Sequence, residues 1–177
     1  MLTFTSLGGT AVRLEGGERA LTIYPTHAPK AGDIALFVTP EEDPRPNTIS
    51  WPGEYDIAGI TVRGVGQDEG KKVSYAIEVD GVRCAFIAMP MADWSEQDLE
   101  YLGDVDILVV PGTNVSVVQK LLDEVDPRVV ILLPTEKNKI DPDVIKLCGA
   151  AAVSPISQYK VKGTLPQEGR EVVILSE

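Results

Sequence analysis

The sequence predicts an α/β protein in which two β-sheets pack face to face with helices on the outside. Three observations carry that expectation. The first two-thirds of the chain is a series of short apolar runs, the early ones separated by paired glycines, which reach positive φ without a Cβ clash and so mark hairpins. The last third alternates helical and strand-length apolar patterns. Three runs, DIALFVT at 33–39, DILVV at 106–110 and VVILL at 129–133, have the near-continuous apolar character of buried strands.

Taken in order, residues 2–6, 11–15 and 21–24 read as strands separated by Gly8-Gly9 and Gly16-Gly17. Residues 33–39 read as a buried central strand. Residues 54–65 alternate, with Ile57, Ile60 and Val62 on the apolar positions, and 73–79 and 82–88 flank the hairpin dipeptide Asp80-Gly81. Ser95 caps a helix, Asp98 completes a capping box and Gly103 ends the helix. Strand 106–110 follows. Asn114 is expected to cap a helix whose Val117, Val118, Leu121, Leu122 and Val125 form one apolar face, and Pro127 stops it. Strand 129–133 precedes a helix that Asp141-Pro142 begins and Gly149 ends. Residues 159–162 and 171–175 are closing strands. Antiparallel hairpins followed by strand–helix units imply two sheets with helices outside, and 177 residues suit one domain spanning 1–177.

The formal net charge is −11, with a single histidine. That balance repels phosphate backbones, so nucleic acid is not an expected partner. No apolar run approaches the length of a membrane span, and the start MLTFT lacks the basic and apolar segments of a signal peptide, so no membrane partner is expected. Cys84 and Cys148 have no C-x-x-C spacing and read as buried free thiols, which suits a cytoplasmic protein.

The order of segments carries a resemblance. The run WPGEYDIAGITVRGV at 51–65 resembles the P-G-E-Y-E-I-G-G-I segment of small metallo-β-lactamase-fold hydrolases, in the branch of ascorbate-6-phosphate lactonase-like proteins. Leu7-Gly8-Gly9-Thr10-Ala11 is similar to that branch's L-G-H-S-x start, and Ile23-Tyr24-Pro25 to its I-D-P. Residues 95–108 resemble its S-x-x-x-L-x-x-L-G-x-V-D-I-L, and 126–134 the stretch leading to its P-x-H. The resemblance spans nearly the whole chain and implies an αββα four-layer sandwich, the metallo-β-lactamase fold.

It also implies where a catalytic dimetal site would lie, and the residues there are wrong for it. In active members H-x-H-x-D-H binds metals whose bridging hydroxide attacks the substrate. Here Pro40, Glu42, Pro44 and Arg45 occupy the His, His, Asp and His positions. The H-x-G-D element aligns with Phe86-Ile87-Ala88-Met89, so Phe86 and Met89 replace its histidine and aspartate. Glu136 holds the histidine position of P-x-H, and Gly9 the early one. A catalytic zinc takes about three protein ligands, mostly histidine. One histidine, lying outside these motifs, cannot supply them. No metal, cofactor or catalytic residue is expected.

Two residue groups keep alternatives open. His27, in the loop after 21–24, is an ordinary loop histidine or a base lacking an evident orienting partner. Glu41, Glu42 and Asp43 form an acidic knot that is a solvated loop or a carboxylate site for a hard cation, although Pro40, Pro44 and Pro46 stiffen it. Trp51, Met91 and Trp94, with Met89, are large apolar residues near the same rim, either packed inside or forming a contact surface. The expected function is therefore that of a non-catalytic, pseudo-hydrolase member that binds an unidentified protein or a second copy of itself. The alternative is a hydrolase with a rebuilt, carboxylate-bound or metal-free site.

Overall fold

The computed structural model describes residues 1–135 and 138–177. Alternation of apolar and polar residues decides which way the first strands face. β1 (Thr3–Ser6), β2 (Val12–Glu15) and β3 (Leu21–Ile23) pair antiparallel in turn. β3 pairs in parallel with β4 (Ile34–Leu36), and β4 with β5 (Thr48–Ile49). A meander follows of β6 (Gly53–Ile57), β7 (Ile60–Gln67), β8 (Lys72–Val79) and β9 (Val82–Phe86). The chain then alternates α1 (Glu96–Leu102), β10 (Ile107–Pro111), α2 (Val115–Val125), β11 (Val129–Leu133) and α3 (Pro142–Leu147), and ends with β12 (Gln158–Lys160) and β13 (Glu171–Ile174). Sheet A has the order β12-β1-β2-β3-β4-β5, and sheet B the order β13-β11-β10-β9-β8-β7-β6. From β9 through β10 and β11 to β13 the pairing is parallel.

The two sheets enclose one apolar layer, to which sheet A gives Phe4, Leu14, Ile23 and Leu36 and sheet B gives Val62, Tyr75, Phe86 and Ile131. A second cluster lies between the other face of sheet B and the helices, joining Ala85, Leu108 and Val130 to Leu102, Val118, Leu121 and Val144. This is the predicted α/β sandwich of two sheets. α1, α2 and α3 bury their apolar faces in the second cluster, which among the described residues contains none of sheet A.

The outer face of sheet A is polar instead. Gln158, Thr5, Arg13, Thr22, Ala35 and Thr48 stand in one cross-strand row. On it Arg13 donates to both Asp33 oxygens, Nε at 2.7 Å and Nη2 at 3.1 Å, and the Thr22 hydroxyl donates to Oδ2 at 2.9 Å. Burial opposes ionisation of Asp33, but the hydrogen bonds from Arg13 and Thr22 outweigh it and hold the carboxyl below its usual range.

Several local expectations need correction. Residues 54–65 are two strands, β6 and β7, turned at Ala58-Gly59, both with positive φ (51° and 75°), as a two-residue hairpin demands. Alanine rarely takes that conformation, which hid the turn. The run 33–39 contributes only Ile34–Leu36, beside the short edge strand β5 rather than at the sheet centre. Asn114 occupies the N-cap of α2 but is left-handed and makes no side-chain capping bond. The Ser95–Asp98 capping box forms as read, with Asp98 N donating to Ser95 Oγ at 3.1 Å and Ser95 N to Asp98 Oδ2 at 3.3 Å. Cys84 is buried, whereas Cys148 is only half-buried; both are free. Among the described residues no helix is long and apolar enough to cross a membrane.

Candidate functional site

The ends of β3, β4 and β9 and the start of β8 meet at one end of the sandwich, where the resemblance places the metal site. Tyr24 follows β3 with φ at 53°, a left-handed turn that a tyrosine adopts at a cost of about 1–3 kcal/mol. Its ring is packed inside, 7% exposed, and its hydroxyl lies 3.0 Å from both the Val73 and the Phe86 carbonyl oxygens. Tyr75 is fully buried, and its ring centre is 6.0 Å from that of Tyr24. Its hydroxyl is 2.6 Å from the Phe37 carbonyl and 3.1 Å from that of Ile49. The main chain closes the gap further: Val73 N donates to Val38 O at 2.8 Å, joining sheet B to the segment leaving β4.

This end is therefore plugged. Two phenol rings fill the space between the sheets, and their hydroxyls are committed to main-chain carbonyls. Burial raises both tyrosine pKa values well above the ordinary range, so neither phenol ionises near neutrality. Ser74 is also fully buried, and its Oγ accepts from Ala88 N at 2.9 Å. Sequence reasoning did not single out Tyr24 or Tyr75. The one available signal was Tyr24 at the aspartate position of the I-D-P-like segment.

The residues at the expected metal positions do not gather round a common point as ligands. Phe86 is 1% exposed and packs in the inter-sheet core, its ring centre 6.3 Å from that of Phe4. Met89 is half-buried just beyond it. Gly9, with φ at 55°, has no side chain to offer. Pro40 is half-buried, and Glu42, Pro44 and Arg45 are exposed on the loop after β4. Glu136 lies outside the described residues. Among the described residues no three His, Cys, Asp or Glu side chains stand close enough to hold an ion. This donor set does not fit the dimetal centre of the active enzymes: prolines and phenylalanine have no side-chain donor, and arginine repels a cation.

The two loops that leave β3 and β4, residues 24–33 and 37–47, form a pocket of about 410 Å3 outside the plug. His27, Glu41 and Arg45 line it with Pro25, Pro29 and Phe37. His27 is exposed, and Nδ1 is 3.0 Å from the hydroxyl of Thr26, its neighbour. A base needs an orienting group and a reacting atom within reach, and a threonine hydroxyl does not strengthen imidazole as a carboxylate does.

The three residues expected to share a contact surface separate. Trp94 is 1% exposed, inside the helix-side cluster, so it is core and not surface; its indole N–H is buried without an acceptor among the described residues. Met91 is half-buried against the same cluster. Trp51 alone is open, 50% exposed, and its indole N–H donates to the Glu41 carbonyl at 2.8 Å. Trp51-Pro52 crosses β7 at Gly64 and Gly66, where an added Cβ would come within 3.0 Å of Trp51 O and 2.7 Å of Pro52 Cγ. Glycine at these positions admits the segment.

No protein-family model and no curated protein matches the sequence. Solved structures do. A protein of Thermotoga maritima assigned as a Zn-dependent hydrolase of the metallo-β-lactamase superfamily aligns at TM-score 0.81 with 20% identity, covering 99% of this chain and 98% of its own. A protein of Parabacteroides distasonis assigned as a metal-dependent hydrolase aligns at TM-score 0.64 with 18% identity, over 99% and 93%. The metallo-β-lactamase fold protein YhfI of Bacillus subtilis aligns at TM-score 0.63 with 8% identity, over 99% and 96%. Together with the two facing sheets, these likenesses identify the architecture of this chain as the metallo-β-lactamase fold.

Proposed function

We propose that the chain is a non-catalytic member of the ascorbate-6-phosphate lactonase-like branch, and that it acts by contact with another protein chain. The observation that carries this reading is the plug. Tyr24, Tyr75 and Phe86 occupy the end of the sandwich where the active enzymes hold metal, and their polar atoms are already satisfied. With no metal-activated water, this end supplies neither a strong nucleophile nor an oxyanion site. Trp51 supports the binding half of the proposal, since an exposed tryptophan on a stiff, proline-flanked segment loses little entropy on association.

The rebuilt-hydrolase alternative keeps one supporting feature, the pocket holding His27, Glu41 and Arg45. Two measurements separate the readings. Protein purified without chelator is assayed for zinc, iron and manganese and for hydrolysis of lactone, β-lactam and phosphodiester substrates. The expected result is substoichiometric metal and no turnover above background. Turnover that disappears in His27→Ala would establish the alternative. Sedimentation of wild type and Trp51→Ala at high concentration reports whether the contact is with a second copy.

A further inference from the structure

We propose that the free edge of sheet B, β6, takes up an extended basic segment of a different protein as an added antiparallel or parallel strand. The inference rests on the binding role above and assigns it a surface and a partner chemistry. Among the described residues β6 pairs with β7 alone. Because Ile57 and Ile60 close a two-residue hairpin, Ile57, Tyr55 and Gly53 turn their N–H and C=O groups toward β7. Those of Glu54 and Asp56 therefore point away from the sheet. This is the arrangement to which an incoming strand bonds.

Alternation along β6 then separates the two faces. Tyr55 and Ile57 lean on the inter-sheet core, with Trp51 exposed at the start of the segment. Glu54 and Asp56 face the opposite way. On that side a groove of about 590 Å3 runs between the sheet edge and α1, lined by Glu54, Asp98 and Glu100 with Arg63 as its one cation. Arg63 is already engaged, 3.2 Å from Glu54 and donating to Tyr101 O at 2.9 Å. With Asp56 beside the groove on the same face of β6, four carboxylates outnumber one guanidinium. A strand added here would place alternate side chains over this groove, where lysine or arginine is favoured, and the intervening ones beside Tyr55, Ile57 and Trp51, where apolar residues are favoured. A second copy is a poor occupant. Two-fold pairing of β6 with itself about Tyr55 would set Glu54 opposite Asp56, and like charges directly opposite destabilise a pair.

The test uses the full chain and three end-capped eight-residue peptides. One alternates lysine and valine, one replaces lysine with glutamate, and one is the lysine peptide N-methylated on alternate residues so that charge is kept and strand bonding is lost. Amide hydrogen exchange is read residue by residue, and affinity by titration. The lysine peptide is expected to slow exchange at Glu54 and Asp56 by about tenfold or more, with no such effect from the other two. The exposed double variant Asp56→Lys, Glu100→Lys should weaken binding about fivefold or more. Its fold is checked by circular dichroism; should it fail to fold, the N-methylated peptide decides alone. Unchanged exchange at Glu54 and Asp56, or equal effects from the N-methylated peptide, overturns the proposal. Slowed exchange at these residues with protein concentration alone also overturns it, in favour of a second copy. Hydrolytic turnover in the same preparation would instead overturn the non-catalytic reading, so the two failures are distinct.

Discussion

The plugged end, at the start of β8 and the end of β9, contrasts with the free edge at β6. At the plugged end the three buried polar side chains are paired internally: the Tyr24 and Tyr75 hydroxyls donate to carbonyls, and Ser74 Oγ accepts from Ala88 N. At the edge the outward main-chain groups of Glu54 and Asp56 have no strand beside them, and half of the Trp51 surface is open. A protein interior leaves few polar groups unpaired. The contrast is one of pairing: unpaired main-chain groups at the edge, and buried side-chain polar atoms already paired at the plugged end.

The strongest way to break this comparison is to empty the plug. Tyr75→Ala removes a fully buried ring and the donor for two carbonyls, and should cost about 3–5 kcal/mol in urea unfolding. A loss below about 1 kcal/mol would mean that the ring does not seal the end. Next in size is Arg13→Met on the polar face of sheet A, which leaves Asp33 buried without its partner and should cost about 3 kcal/mol. Tyr24→Phe keeps the ring and deletes only the hydroxyl, with an expected cost of about 1–2 kcal/mol.

A smaller effect appears in acid. The Asp33 pKa is depressed in the folded chain, so its contribution is present above the unfolded value of about 3.9 and disappears as pH falls through the folded value. In Asp33→Asn the loss of stability below about pH 4 should be shallower than in wild type; unchanged slopes would mean that the Arg13 pairing is not linked to folding. Smallest of all is Trp51→Ala, which should shift unfolding by about 0.5 kcal/mol or less, since the side chain is half-exposed. A change in sedimentation with unchanged stability would place a self-contact at Trp51.

Much of the architecture was legible because its causes are local. The runs at 107–110 and 129–133 are apolar throughout and became fully buried strands; Ser95 and Asp98 formed their capping box three residues apart. The turn at Ala58-Gly59 was not legible, because alanine carries no turn signal and only the pairing on both sides forces it into the left-handed region. Trp94 and Trp51 look alike in sequence, yet one is core and the other surface, since burial depends on what α1 and β7 bring over each.

The candidate site divides in the same way. By itself the sequence set the donor chemistry: where the resemblance places metal ligands it has prolines, an arginine and no histidine, a set that does not match a dimetal centre, because ligand chemistry is a property of the side chains alone. What fills the space was decided only in three dimensions. Tyr24 and Tyr75 come from different sheets and meet ring against ring at 6.0 Å, and their hydroxyl acceptors belong to Phe37, Ile49, Val73 and Phe86. No spacing along the chain encodes that meeting. It follows from the packing of sheet A on sheet B, which brings together main-chain carbonyls whose need for a donor no sequence position reveals.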